Sequence, residues 1–501
     1  MKDKGKVRPA ANMAMAGGSL ELILRLMPRP AATTASKIVL AGLAFVILAI
    51  AIITRPPKGL NDFDQSFYLT IAYDIDRYGV FSNGIFNTTE STHTAPAPGM
   101  FFVPAYPLLV LATMKIDPRF ARAAECSVEA NRNKSEQSEC DVYATPIDII
   151  HAALLALGVL AIALCGELIF GRARVFWLAG ALAIGGLTAE ADMFSFLMTE
   201  SLTFSLYSIV MLFAVLAWKR SRTLYCGLTG FFLGLLCLTR PSFVTLIPVL
   251  FVLMALRGRP LAASGLRSGL SDALAFMAAA IIVIGPWVVR NHLSVGKWGL
   301  TEEYGSAVLI ERFAYNDMTA REFIVAFPYC TPGLGDIVFD QIYGKDSMHR
   351  FVYHTRDSFF HVGRGRRDTL AKEHTRLDPL IAGIVFDEMR ANWWRHLLVS
   401  IPLAWCGMWA GWVASLLMVP PFAWACVRAV RQSQPLLLLY AAPALVMLGF
   451  HAVVANHYTR YNLILIGPFA VGAAWILSER CRYTADSSST TRNELGQHRG
   501  R

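Results

Sequence analysis

NDFDQSFYLTIAY, residues 61–73, follows the first long apolar run of the chain almost directly. Phe63, Phe67, Ile71 and Ile75 recur at every fourth position and form a single apolar stripe on a helix. That spacing predicts an amphipathic helix lying against a membrane surface. Asp62 suits the N-cap, with Gln65 three residues on to complete a capping box. Asp64 then falls in the first turn and Tyr68 one turn later, so both point into the same space. A carboxylate held there is either a helix-start residue favoured by the helix dipole or a base.

The reading of this stretch depends on a bilayer being nearby, and the composition supplies one. The 501 residues are 55% hydrophobic and only 16% charged, against a usual charged share of about 25%. Mean hydropathy is +0.44. Long apolar runs recur throughout, which excludes a soluble enzyme and predicts an all-α polytopic membrane protein. The net charge of +10 sits mostly in tails and short loops. No basic patch interleaved with aromatics is present, so nucleic acid is not expected as a partner, while membrane lipid is.

Spans are expected at about 36–54, 147–169, 175–190, 201–218, 224–239, 241–256, 271–289, 397–427, 435–453 and 461–478. The run 397–427 is too long for one simple span and suggests an added interfacial piece. FFVPAYPLLVLATM, residues 101–114, is too short and holds two prolines, so it reads as a surface or re-entrant helix. With the N-terminus inside, the basic loops 171–174, 219–222, 257–259 and 428–431 all fall in the cytosol. The arrangement divides the chain into a basic cytosolic tail (1–35), a transmembrane domain (36–480) and a polar, disordered cytosolic tail (481–501). Two large segments lie outside, 55–146 and 290–396, the second being a small folded unit or a mobile loop. Trp393 and Trp394 read as interface anchors.

Nine cysteines are present. Cys165, Cys226, Cys237, Cys406 and Cys426 lie in apolar runs and read as small core residues. Cys126 and Cys140 flank a polar insert on the external side, where a disulfide between them is expected.

Several short patterns, in order along this topology, resemble the polytopic glycosyltransferases of the C superfamily. The likeness is greatest to bacterial relatives of dolichyl-phosphate-mannose protein mannosyltransferases and of the aminoarabinose transferases that act on lipid A. The patterns are Asp64 and Tyr68 followed by Ala72 and Gly79; Pro104-Ala105-Tyr106-Pro107; Thr199-Glu200-Ser201-Leu202; Leu238-Thr239-Arg240-Pro241; Gly285-Pro286-Trp287 running to Arg290-Asn291; and Arg460-Tyr461. The resemblance spans roughly residues 61–468. It implies transfer of a sugar, with inversion, from a polyprenyl-phosphate donor to a lipid, glycan or protein acceptor. It also implies a bacterial inner membrane with the site facing the periplasm.

That chemistry needs few residues. A glycosidase needs two carboxylates because its leaving alkoxide must be protonated. A lipid phosphate leaves as a stable anion, so one base for the acceptor hydroxyl suffices, with cations to hold the departing phosphate. The resemblance makes Asp64 the base and Arg240, Arg290 and Arg460, all at outer ends of spans, the phosphate-binding cations. Tyr68, Glu200, Asn291 and His457 are the substrate-binding candidates. Asp62-Phe63-Asp64 and Asp74-Ile75-Asp76 each read D-x-D, a short pattern that also occurs by chance. No cofactor is required and no metal ligand is assigned; a divalent ion remains an alternative. Two other classes stay open. A lipid-linked saccharide transporter or flippase should place ionisable residues at midspan or show an inverted repeat, and an envelope polysaccharide polymerase or ligase would also use external loops.

Overall fold

The computed structural model describes residues 32–55, 60, 64–87, 94–133, 140–220, 222–256, 263–335, 344–353, 355–373, 377–455 and 458–479. Among them every regular element is helical. Seven helices are long and apolar enough to cross a membrane: α1 (Thr34–Ile53), α5 (Thr145–Phe170), α7 (Glu200–Arg220), α10 (Ala263–Val295, its apolar part Gly269–Val295), α15 (Val413–Arg431), α16 (Pro435–Val454) and α17 (Thr459–Glu479). Three shorter apolar helices, α6 (Ala173–Ala189), α8 (Thr223–Cys237) and α9 (Leu246–Leu256), pack among them. A helix satisfies its own backbone polar groups, which is why it is the form an apolar chain takes in lipid. Only 22% of the α1 window is buried by protein, and Ile38, Val39, Leu43 and Ile50 point outward. α17 is 89% buried and forms the bundle centre. Small residues bring helices close: a Cβ at Gly230 of α8 would stand 1.9 Å from Phe276 O of α10.

The two ends of the bundle are pinned differently. At one end Glu479 pairs with Arg172 at 3.2 Å and also with Arg428, so the basic loops before α6 and after α15 meet the last span. At the other end Glu190 Oε1 accepts from Gly411 N at 3.0 Å. Gly411 (φ +96°) and Trp412 (φ +47°) are in left-handed conformations, and they break the run 397–427 into two helices. The first part belongs to α14 (Asp378–Met408) and the second to α15. The whole of 397–427 is therefore not one span. Its first part is a continuation of an external helix, with Leu397, Leu398 and Ile401 exposed. Trp393 and Trp394 are 57% and 56% exposed just ahead of these residues.

Two caps sit outside the bundle. The first holds α2 (Gln65–Tyr78), α3 (Ala105–Ile116) and α4 (Pro118–Asn133), tied by the disulfide Cys126–Cys140. The second holds α11 (Tyr304–Phe313), α12 (Ala320–Cys330), α13 (Phe359–Glu373) and the first half of α14. Tyr315, Val325, Met348, Phe351 and Phe359 share its core, so the described parts of the segment 290–396 pack together. A second disulfide, Cys330–Cys406, fastens α12 to α14. Cys406 is thus not the free core residue that its apolar run suggests; the run has simply continued out of an external helix. The tail residues 1–31 and 480–501, and the basic loop 257–259, lie outside the described residues.

The opening stretch also differs from the sequence reading. α2 starts at Gln65, with Asp64 in the N-cap position and making no capping bond. Gln65 reaches across to another part of the chain, where its Oε1 accepts from Leu197 N at 2.8 Å. Asp62 and Phe63 lie outside the described residues. Nor does α2 lie flat on a surface. Its Leu69, Ala72 and Tyr73 pack on Tyr106, Val110 and Phe120, while Ile71, Phe67 and Ile75 face Phe81, Phe102, Leu238 and Trp287. The apolar stripe exists, but its partners are protein on both sides.

Candidate active site

Polar groups inside α2 show what its burial requires. Asp74 is fully buried and accepts from Ser82 Oγ at 2.6 Å and Arg132 Nη2 at 2.5 Å. Burial raises its pKa, and these two partners oppose the rise. Asp76 pairs with Lys115. The acids of Asp74-Ile75-Asp76 are therefore engaged in packing α2 onto its neighbours.

Asp64 is placed differently. Its side chain is 46% exposed and faces Arg460 Nη2 at 3.3 Å. The same nitrogen donates to Tyr461 Oη at 3.2 Å. Arg240, at the outer end of α8, donates to Thr199 Oγ1 at 2.9 Å and to Glu200 Oε1 at 2.7 Å. The Tyr461 ring lies 5.2 Å from the Arg240 guanidinium and 5.1 Å from that of Arg460, a distance at which the ring face attracts both cations. Asp64, Tyr68, Arg240, Arg460, Tyr461 and Tyr304 surround a space of about 30 Å³, the share of one liquid water.

Hydroxyl donors face this space. Tyr68 and Tyr304 both line it. Burial raises the pKa of each phenol, with the negative charge of Asp64 adding to the effect. Both stay protonated and available as donors. Behind them, His151 Nδ1 lies 2.9 Å from Phe194 O, which can only accept, so Nδ1 carries the proton. Nε2 then accepts from Tyr106 Oη at 2.9 Å. Glu200 is 3% exposed, and its Oε2 has no hydrogen-bond partner in the protein.

A second, larger space of about 610 Å³ lies next to the first, lined by Ile75, Gly79, Phe81, Pro104, Leu238, Trp287 and Arg290 among others. The two share a thin wall. Val103 and Thr239 line the small space, whereas their chain neighbours Pro104 and Leu238 line the large one. The wall is pinned by the bond from Ala105 N to Leu238 O at 2.9 Å. One face of the wall is thus charged and aromatic, and the other is apolar.

Compared with known proteins, the chain matches no family model and no curated relative. Among solved structures it is similar to ArnT from Cupriavidus metallidurans in the apo state, at 14% identity and a TM-score of 0.47. The superposition covers 88% of this chain and 59% of that one, so this chain spans about three-fifths of the other's length.

The structure brings together Asp64, Tyr68, Glu200, Arg240 and Arg460 from positions far apart in sequence. It places Arg290 elsewhere. That guanidinium donates to Gly99 O at 2.5 Å, Asn291 Oδ1 at 3.1 Å and Phe81 O at 2.9 Å, between the rings of Phe81 and Trp287. It lines the large apolar space, not the one around Asp64. Asn291 is fully buried and donates to Gly299 O at 2.9 Å. His457 lies outside the described residues. Tyr304 and Tyr461 are lining residues that the sequence reading did not assign to the site. Tyr461 stood within the quoted Arg460-Tyr461 pair, whereas Tyr304 sits in a segment without a readable motif.

Tyr304 is held by an unusual joint. Glu303 has φ +66°, and its carboxylate accepts from Leu377 N at 2.6 Å and Asp378 N at 3.2 Å. Asp378 in turn accepts from Glu303 N at 3.0 Å and Ser306 Oγ at 2.6 Å. Each acid caps the other's helix, α11 or α14. Glu302, Glu303 and Asp378 come together as a carboxylate group, and these backbone donors account for two of its three members.

Proposed function

We propose that the protein is a membrane glycosyltransferase that moves a sugar from a polyprenyl-phosphate donor to an acceptor hydroxyl on the outer face of a bacterial inner membrane. The observation that carries this reading is the thin wall: a 610 Å³ apolar space on one side, and on the other a space lined by the half-exposed carboxylate of Asp64 and by two arginines. An amphiphile with an isoprenoid tail and a charged head fits such a divided site. The tail occupies the apolar space, and the phosphate lies toward the arginines.

In this reaction Asp64 takes the proton of the acceptor hydroxyl. The freed oxygen attacks the anomeric carbon from the face opposite the phosphate. The bond between that carbon and the phosphate oxygen breaks, and polyprenyl phosphate leaves with the electron pair. Arg460 pairs with Asp64 at 3.3 Å. The singly charged phosphodiester of the donor would compete for that guanidinium and free the carboxylate as base. Arg240, anchored by Thr199 and Glu200, supplies a second cation already in place, which is how charge on a leaving group is best stabilised. Tyr68 and Tyr304 supply neutral donors to the phosphate or the sugar. Arg290 stands at the apolar space, where it holds the segments 81 and 99 and offers its remaining charge to an entering headgroup.

The test is direct. Full-length protein in lipid nanodiscs is incubated with a radiolabelled polyprenyl-phosphate sugar and a bacterial envelope extract, and release of polyprenyl phosphate and labelled product are followed. Release dependent on Asp64 supports the reading. Movement of intact donor across the bilayer of a proteoliposome, without release, would show a flippase instead.

A further inference from the structure

The proposed base must meet its acceptor from the water side, because the apolar space occupies the other side of the wall. A chain of aromatic rings leads away from the site in that direction. Tyr461, which touches both arginines of the site, has Tyr458 6.3 Å from it. Tyr458 lies 6.1 Å from Tyr353 and 6.4 Å from Phe360, and these two rings stand 4.5 Å apart. The Arg364 guanidinium lies 5.7 Å over Phe360. The rings come from three separate pieces of chain: the turn before α17, the turn before α13, and α13 itself. Tyr353, Phe360 and Tyr458 are half-buried and Arg364 is exposed.

We propose that this patch is the acceptor subsite and that the acceptor it holds is a saccharide. The inference rests on the glycosyl-transfer reading and names one of its open terms. A pyranose has a face of C–H groups made electropositive by neighbouring oxygens, and it lies well on the electron-rich face of an aromatic ring. Its hydroxyls need polar partners at the ring edges, and the exposed Arg364 is one. A lipid would need a continuous apolar surface, such as the one Trp393, Leu397 and Ile401 present on α14. Peptide binding by strand addition would need a free strand edge, and no strand occurs among the described residues. Continuity with the site fixes the direction: a sugar stacked on Tyr353 and Phe360 presents its next unit past Tyr458 and Tyr461 toward Asp64.

The experiment uses full-length protein in nanodiscs containing polyprenyl phosphate, applied to a glycan array and to a matched peptide array. Donor turnover is assayed in the same preparation. Variants are Tyr353→Leu and Phe360→Leu, which keep apolar volume but remove the ring, and Phe360→Trp, which restores one. We expect glycan binding that weakens roughly 2- to 10-fold with each Leu variant and returns with Trp, at unchanged melting temperature. Glycan binding indifferent to both Leu variants, binding lost with Phe360→Trp as fully as with Phe360→Leu, or binding to peptides alone overturns the proposal. Donor turnover without glycan binding overturns the subsite and spares the transfer reading. Glycan binding without donor turnover does the reverse.

Discussion

Replacing Asp64 by Asn should separate chemistry from folding more cleanly than any other single change. The side chain makes no capping bond to α2 and is 46% exposed. Its ion pair with Arg460 is 3.3 Å long and partly solvated, and pairs of that kind contribute about 0–1 kcal/mol. Asn also suits an N-cap position as well as Asp does. Stability should therefore fall by less than about 1 kcal/mol. Turnover should fall by roughly 10²–10⁴-fold, the usual contribution of a positioned base, because an amide cannot take the acceptor proton. Donor affinity should hold or rise, since Arg460 no longer has a carboxylate to leave. The assays are release of polyprenyl phosphate, equilibrium binding of polyprenyl phosphate, and thermal melting in one detergent. Near-normal release by well-folded Asp64→Asn protein would refute the assignment. Loss of melting stability in step with activity would refute the claim that the residue is free of structural duty.

Other expectations follow from neighbouring features. Tyr304→Phe should raise KM or lower kcat roughly 10- to 150-fold without altering the melt, because a hydrogen bond to a charged ligand is worth about 1.5–3 kcal/mol; kinetics identical to wild type would remove Tyr304 from the site. Arg290→Lys keeps a charge but cannot span Phe81 O and Gly99 O as a planar fork does, so both donor affinity and melting temperature should drop, and a change in only one of them would assign it a single role. Non-reduced peptide mapping should find Cys126 joined to Cys140 and Cys330 to Cys406, with free thiols at any of these positions in freshly prepared membranes counting against an external location. Burial and the nearby Arg312 hold His396 down at about 4 from an ordinary 6.5. Its neutral form therefore stabilises the fold fully above pH 6.5, and that contribution, up to about 3 kcal/mol, is lost as pH falls toward 4. His396→Gln should flatten this part of the stability profile, and an equally steep profile would show that other groups set it.

How much of this was legible in the chain depended on the kind of signal. Hydropathy placed the spans, since a bilayer demands long apolar helices and leaves little else to choose. Asp64, Arg240 and Arg460 were singled out through the resemblance of short motifs, and the structure brings the three to one space. The break at Gly411 and Trp412 was hidden, because apolar residues continue through it and the turn is made by left-handed backbone at these two residues. Both faces of α2 are buried, yet its periodicity shows only one stripe; the other face is built of Leu69, Ala72 and Tyr73 among polar residues whose partners lie far away in sequence. Tyr304 could not be read at all. Its position depends on Glu303 and Asp378 capping each other's helices across the external segment, and reciprocity of that kind leaves no local pattern.

The pairing of Asp64 with Arg460 joins residues 396 positions apart. In the order of synthesis, the carboxylate emerges with the first external helix and waits through nearly the entire chain for its arginine. Arg240 arrives midway, already committed to Glu200. The site consequently has no partial form: a chain that stops, or inserts its last helix the wrong way round, carries the carboxylate but not the charge set around it. Under the proposed reaction, correct threading of the final span is the step that completes the site, and a truncation removing only α17 should leave a membrane-inserted but inert product.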